Sequence, residues 1–333
     1  MRAIVIDQRS HGLEFRCIDE PELGDGQIRV AVRAASLNRA DLAVRAGTHT
    51  ADISGLAGLD AAGEVVEAGR GVTDVAVGDR VMMMVSGGLS ERVVVDEGTA
   101  VRIPPEWSYI EGAAAIVGLM TAQNALMTAA RITTGESVLV HGATSAVGIQ
   151  CIQLAKHLGA GRIVGTARAR REVDALRALG MDELIVVDGP GWAERVLDLT
   201  HNLGIDIVLD FAGGPYLEDN IAAAALGGRI IGIGRLAGAD GRINMEALAY
   251  KRLEIIGVTF RTRDLDQRRA IAEGVRQLLL APGADNGISP ALALRPTVER
   301  TMAWTEVDHA YRHLAGSRGL GKIVLEMNGS IDV

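Results

Sequence analysis

The chain has 333 residues, 48% of them hydrophobic, which is enough for two packed cores and more than a single core usually supports. Its 42 acidic and 34 basic residues give a net charge of −8, with the basic residues scattered, so nucleic acid is excluded as an expected partner. Two cysteines, Cys17 and Cys151, both in segments that read as buried regular structure, exclude a disulfide framework or a thiolate metal site and fit a reducing compartment.

The chain opens on an alternating strand, Met1-Arg-Ala-Ile-Val-Ile-Asp7, which meets an acid too early for a signal-peptide core. No apolar run approaches membrane-spanning length, so a soluble cytoplasmic protein without membrane contact is expected. Over the first hundred residues short runs alternate apolar and polar positions, at Ile28, Val30 and Val32, from Val81 to Val85 and from Val93 to Val95. Turn signals at Pro21–Gly26, Gly69–Gly71, Val77–Asp79 and Ser86–Gly88 separate them, which predicts a mostly antiparallel β domain.

From about Glu111 the pattern changes to Ala-rich helical spacing, and six apolar β-type runs follow: Val138–Val140, Ile163–Gly165, Leu184–Val187, Ile207–Leu209, Ile230–Ile233 and Leu253–Val258. Helical segments such as Gly148–Leu158 and Arg171–Leu179 separate the first four, so each crossover is a βαβ unit and the sheet is expected to be parallel and doubly wound. After Phe260 a charged helix, Leu265–Leu280, leads through Pro282-Gly and Pro290 to a helix near Val307–Leu314 and a last strand, Lys322–Leu325. This tail has too little core to stand alone. It is expected to complete a first domain, 1–120 with 262–333, around a second, 121–261.

The sharpest motif is Ser137-Val-Leu-Val-His-Gly-Ala-Thr-Ser-Ala-Val-Gly148, an apolar strand that runs through small residues into an amphipathic helix. Such a turn lets backbone amides and the positive helix end meet a diphosphate, so Gly142, Thr144, Ser145, Ala146, Val147 and Gly148 are candidate cofactor contacts. Ala146 breaks the strict glycine pattern while keeping the small side chain. At the end of the second run, Gly165-Thr-Ala-Arg-Ala-Arg-Arg171 lacks the carboxylate an NAD site places there. Thr166, Arg168, Arg170 and Arg171 supply a hydroxyl and guanidinium groups suited to a 2′-phosphate, which favours NADPH, with Thr166, Arg168 and Arg171 as the candidate contacts. Ala212, Gly213, Gly232 and Ile233 follow the fourth and fifth runs as a floor for the nicotinamide side, and Phe260, beyond the sixth, joins the candidate set.

Together, Ala35-Ser-Leu-Asn-Arg-Ala-Asp-Leu42, Gly58-Leu-Asp-Ala-Ala-Gly63, Leu119-Met-Thr-Ala122, the phosphate loop, Phe211-Ala-Gly-Gly214 and Gly321-Lys-Ile-Val-Leu325 carry a resemblance over nearly the whole chain. The chain resembles the zinc-independent quinone oxidoreductase branch of the medium-chain dehydrogenase/reductase superfamily. The resemblance implies an α/β fold with a GroES-like β-rich catalytic domain and a Rossmann domain, and a homodimer. It implies that Asn38 lies by the nicotinamide ribose in the substrate cleft, that Thr121 bonds the carboxamide and that Lys322 reaches the cofactor. Read without it, Asn38 is a turn asparagine, Thr121 a helix N-cap and Lys322 a solvated lysine at a strand start. His49 stands where that branch often carries tyrosine and is kept as a catalytic candidate beside Asn38. Val187-Asp188 replaces an Asn-Tyr pair that walls the adenine site in relatives.

No metal is expected, because Leu59 in Gly58-Leu-Asp60 removes the imidazole that zinc relatives use and two distant cysteines cannot make a four-cysteine site. The expected activity is NADPH-dependent hydride transfer to a quinone or related conjugated carbonyl. The alternatives are a 2-alkenal or enoyl reductase of the same superfamily and a non-catalytic NADPH-binding protein.

Overall fold

The computed structural model describes residues 1–7, 9–47, 55–187, 189, 191–281, 289–316 and 319–327. They form two compact units: Met1–Met120 with the described residues from Asp264 onward, and Thr121–Arg263. In chain order the first unit supplies β1 (Arg2–Ile6), β2 (Leu13–Cys17), β3 (Gln27–Leu37), α1 (Arg39–Arg45), β4 (Asp60–Ala68), β5 (Arg80–Met84), β6 (Arg92–Asp96) and β7 (Ala100–Arg102). Helix α2 (Tyr109–Gln123) continues through a π-helical turn, Asn124–Ala129, into the second unit. There β8 (Ser137–Val140), α3 (Ala146–His157), β9 (Arg162–Ala167), α4 (Val173–Ala178), β10 (Glu183–Val186), α5 (Trp192–Leu199) and β11 (Ile205–Asp210) alternate. They lead on to α6 (Leu217–Ala223), β12 (Ala224–Gly232), α7 (Met245–Lys251) and β13 (Glu254–Gly257). The chain re-enters the first unit with α8 (Leu265–Leu280), α9 (Pro290–Ala293), β14 (Val298–Ala303), α10 (Val307–Gly316) and β15 (Lys322–Glu326).

In the first unit a seven-stranded sheet runs β14-β15-β3-β4-β5-β7, with β6 also pairing β3. The period-2 pattern of β3 turns Ile28, Val30 and Val32 toward Val65, Val81, Val93 and Val95 in one apolar cluster. Burial of each such side chain stabilises by roughly 1.5–3 kcal/mol. A second cluster forms because α10 buries Val307, Ala310, Tyr311 and Leu314, the spacing of one helical face, with Trp304, Leu37, Ile323 and Leu325. The Trp107 indole N–H donates to the Ala291 carbonyl at 3.1 Å, a tie between residues 184 apart in sequence.

The second unit is a six-stranded sheet in the order β10-β9-β8-β11-β12-β13, and every pairing is parallel. Leu139, Val164, Ile185, Val208 and Ile230 pack against Trp192 and Val196 of α5, which is why these strands read as nearly continuous apolar runs. Strand order reverses between β8 and β11. At such a switch point the loops leaving the carboxyl ends of neighbouring strands diverge and leave room for a ligand. The chain thus has the α/β fold expected of it, with the six-stranded parallel sheet.

Two expectations need correction. Cys17 is exposed on β2, whereas Cys151 is buried in α3, where burial pushes its thiol far up. Residues 109–129 do reach membrane-crossing length with a mean hydropathy of 1.2, but 72% of that window is buried within the protein, so its apolar surface is already covered.

Candidate functional site

The loop from β8 into α3 owes its shape to two glycines. Gly142 has φ +60°, which favours glycine, and a Cβ there meets nothing nearer than the Ser145 hydroxyl at 3.8 Å, so the space above it is open. A Cβ on Gly148 would stand 2.4 Å from the Gly142 carbonyl oxygen, so only glycine lets the helix start close under the loop. Ser145 is the N-cap, its hydroxyl accepting from the Gly148 amide at 3.1 Å. The Ala143 amide donates to Thr166 and the Ser145 amide to Gly142. The amides of Gly142, Thr144, Ala146 and Val147 have no hydrogen-bond partner among the described residues. Four uncommitted donors around a helix N-terminus suit a diphosphate.

Of the residues expected at the 2′-phosphate, Arg168 and Arg171 are exposed and enter no ion pair among the described residues, as free phosphate ligands would. Thr166 differs. It is 2% exposed, and its hydroxyl lies 2.8 Å from His141 Nδ1, so this side chain is committed inside the unit rather than offered to a ligand.

In the first unit a buried polar cluster gathers around Asn38, the residue that caps α1 after β3. Lys322 Nζ donates to Asn38 Oδ1 at 2.5 Å, and Asn38 Nδ2 donates to Asp60 Oδ2 at 2.8 Å. The Ser36 amide and hydroxyl each donate to Asp60 at 2.6 Å, and the Asn38 amide donates to Asp41 at 2.7 Å. Lys322 is 4% exposed, which excludes the solvated strand-start reading. Burial pushes the Lys322 ammonium down, while Asp60 and Asp41 hold it up. Burial raises the Asp60 carboxyl against the pull of Lys322, Ser36 and Asn38. Asp41 is pushed up to about 7 by burial and by the charge of Asp60. The second Nδ2 hydrogen of Asn38 stays uncommitted among the described residues, held in a fixed direction by partners on both sides. This oriented donor is one that the cluster can offer chemically.

Thr121 is a buried residue inside α2, three residues before the π-helical turn, so it is not an N-cap. Gly213 has φ +94°, and a Cβ there would stand 2.4 Å from the Gly238 carbonyl oxygen, so its smallness makes room for the chain itself rather than for an open floor. The Ala212 and Gly213 amides both donate to Asp210. Gly232 ends β12, and the Ile233 amide donates to the Asp210 carbonyl at 2.8 Å. Phe260 is half-buried just past β13. His49 and Asp188 lie outside the described residues.

Sequence reasoning did not single out Ser36, Asp41, Asp60, His141 or Asn220. The available signal was a polar residue where apolar ones are due: Asp60 opens β4 ahead of Ala61 and Ala62, and His141 directly follows the apolar run of β8.

Residues 24–105 match the family of alcohol dehydrogenase GroES-like domains, and residues 146–280 match the zinc-binding dehydrogenase family. Over 314 residues, 93% of the chain, the sequence is 32% identical to polyketide synthase GfsB of Streptomyces halstedii, yet it spans only 5% of that protein's length. Among solved structures it resembles a Pseudomonas syringae pv. Tomato DC3000 quinone oxidoreductase, with 26% identity, a TM-score of 0.82 and coverage of 98% of this chain and 99% of the other. It shares its fold with CurK enoyl reductase, with a TM-score of 0.84, 23% identity and coverage of 98% and 99%. The zinc of the second family description finds no fitting donors here. Among the described residues no three His, Cys, Asp or Glu side chains converge, and Asp60 is taken up by Ser36 and Asn38.

Proposed function

We propose that this chain, which belongs to the medium-chain dehydrogenase/reductase superfamily of oxidoreductases, is an NADPH-dependent reductase of α,β-unsaturated carbonyl compounds, with enoyl thioesters and 2-alkenals ahead of quinones. The superfamily binds a nicotinamide cofactor, and the observation that carries the reading is the phosphate loop: four uncommitted amides over an open Gly142. Arg168 and Arg171, exposed and without an ion pair among the described residues just past β9, with no carboxylate in that stretch, favour NADPH over NADH. Sequence alone put quinones first. Alignment with a polyketide synthase over 93% of the chain, and a fold shared with CurK enoyl reductase, favour the conjugated thioester.

When bound, NADPH supplies a hydride to the β-carbon, and the π electrons of the carbon–carbon double bond move onto the carbonyl oxygen to give an enolate. Asn38 holds its remaining amide hydrogen for that oxygen, because Lys322 and Asp60 fix the amide from either side. A proton from solvent then reaches the α-carbon, and the saturated carbonyl compound leaves. The same reading takes a small conjugated substrate, neither nucleic acid nor membrane as partner, and a homodimer in the cytoplasm.

The test is steady-state NADPH oxidation with crotonyl-CoA, trans-2-hexenal, 1,4-benzoquinone and 9,10-phenanthrenequinone. The highest kcat/KM is expected on the thioester or the alkenal. A clear preference for either quinone returns the acceptor to the quinone class, and a protein whose titration with NADPH changes no fluorescence is not this enzyme.

A further inference from the structure

His141 is buried where no mechanism yet uses it. It directly follows β8, one residue before Gly142, and so belongs covalently to the phosphate loop. Its ring is met edge-on by Trp192 at 5.0 Å and by Tyr216 at 5.1 Å, which leaves it no alternative rotamer without breaking two aromatic contacts. Both ring nitrogens are engaged: Nδ1 with the Thr166 hydroxyl at 2.8 Å, Nε2 with Asn220 Oδ1 at 2.7 Å.

The proton positions follow from the far end of the chain. Asn220 Nδ2 donates to Asp210 Oδ2 at 3.0 Å, so its oxygen faces His141 and Nε2 carries the hydrogen. Nδ1 therefore accepts from Thr166. Asp210 Oδ1 in turn accepts from the amides of Ala212 and Gly213 at 2.8 and 2.9 Å. Every polar atom in this buried run has a partner, and such fully satisfied networks rigidify what they join. What they join here are the loops after β8, β9 and β11. Thr166 also accepts the Ala143 amide through its carbonyl, which holds the end of β9 against the phosphate loop by a second bond. Arg168 follows two residues later, close enough to Tyr216 for its charge to pull the phenol down against burial.

We propose that His141 is a positioning residue for recognition of the NADPH 2′-phosphate: the buried run Thr166–His141–Asn220–Asp210 locks the end of β9, and with it the Arg168 arm, in register with the phosphate loop. The inference rests on the cofactor reading above and deepens it. Thr166 serves the phosphate from behind, by fixing the strand that presents the arginine. A neutral imidazole suits this task because it accepts on one side and donates on the other, which neither a lysine nor a carboxylate can do.

The experiment is fluorescence titration of the full chain with NADPH and, separately, NADH, on the wild type and on Thr166→Val, Thr166→Ser and His141→Phe. Thr166→Val removes one hydroxyl at nearly constant volume and is expected to weaken NADPH about tenfold, the loss of one buried hydrogen bond, and NADH less than about threefold. Thr166→Ser, which keeps the hydroxyl, is expected to restore the wild-type ratio of the two affinities. His141→Phe keeps the aromatic packing and is expected to shift the ratio at least as far; if it does not fold, Thr166→Val carries the test alone. A folded Thr166→Val that binds NADPH within about twofold of wild type overturns the proposal, as does equal weakening of both cofactors or a serine variant as weak as the valine. Wild-type protein that binds neither cofactor removes the proposed function itself, whereas normal wild-type binding with an unaffected valine variant removes only this inference.

Discussion

Asp41 offers a measurable consequence of placing two carboxylates and one ammonium in a buried cluster. It is 1% exposed in α1 and pushed from 3.8 up to about 7 by burial and by Asp60. A carboxyl whose folded pKa stands above its unfolded one binds extra protons in the native state between the two values. Its contribution to stability therefore falls as pH rises from about 4 to about 7 and is level above that. At about 1.4 kcal/mol per unit, the part of this window between pH 5 and pH 7 amounts to about 3 kcal/mol. Asp41→Asn abolishes the titration while keeping an oxygen that can accept from the Asn38 amide. Relative to wild type, the variant is expected to gain about 3 kcal/mol on going from pH 5 to pH 8. Urea unfolding at the two pH values, followed by tryptophan fluorescence, measures this, since Trp107 and Trp304 are both buried in the unit that holds Asp41. A stability difference identical at pH 5 and pH 8 refutes the reasoning: Asp41 would then be ionised throughout, with Lys322 and the Asn38 hydrogen bonds outweighing burial.

Lys322→Met leaves Asp60, which is fully buried, without its counter-charge, and is expected to destabilise by about 3–5 kcal/mol in thermal or urea unfolding. Gly148→Ala drives a Cβ to 2.4 Å from the Gly142 carbonyl oxygen, so the phosphate loop must open; isothermal calorimetry is expected to show NADPH affinity lower by at least about tenfold. Arg168→Ala combined with Arg171→Ala removes both guanidinium groups from the end of β9. It is expected to weaken NADPH by about 30-fold or more and NADH by no more than about threefold, read from paired titrations.

The fold was legible where periodicity has one interpretation. The six apolar runs and the intervening helices led to a parallel sheet because strands covered on both faces carry almost no polar residues; the central strands β8, β9 and β11 are covered in that way, whereas the edge strand β13 is largely exposed. Helix α8 was legible to the residue, Leu265–Leu280, because a charged face and an Asp264 cap mark it locally. Cys17 misled because β2 alternates like a half-buried strand yet, among the described residues, pairs only with β1, which leaves it exposed. The phosphate loop could be read from its small residues, since backbone approach is a local requirement. The polar clusters could not be read at all, because Ser36, Asp60 and Lys322 are far apart in the chain and meet only once β3, β4 and β15 are built. Thr166 was assigned to the ligand for the same reason: nothing local tells a hydroxyl aimed at a phosphate from one aimed at a histidine 25 residues upstream.

The seat of β15 between β14 and β3 has a bearing on biosynthesis. Among the described residues the second unit is drawn from 121–263, so that stretch can mature while the ribosome is still translating downstream codons. The other unit must wait. Until Lys322–Glu326 leaves the exit tunnel, the edge of β3 that pairs with β15 stays open, and Asn38 and Asp60 lack the cation that balances them. A nascent chain stalled short of that strand carries an unpaired β edge and an uncompensated carboxylate, a combination that invites chaperone capture or proteolysis.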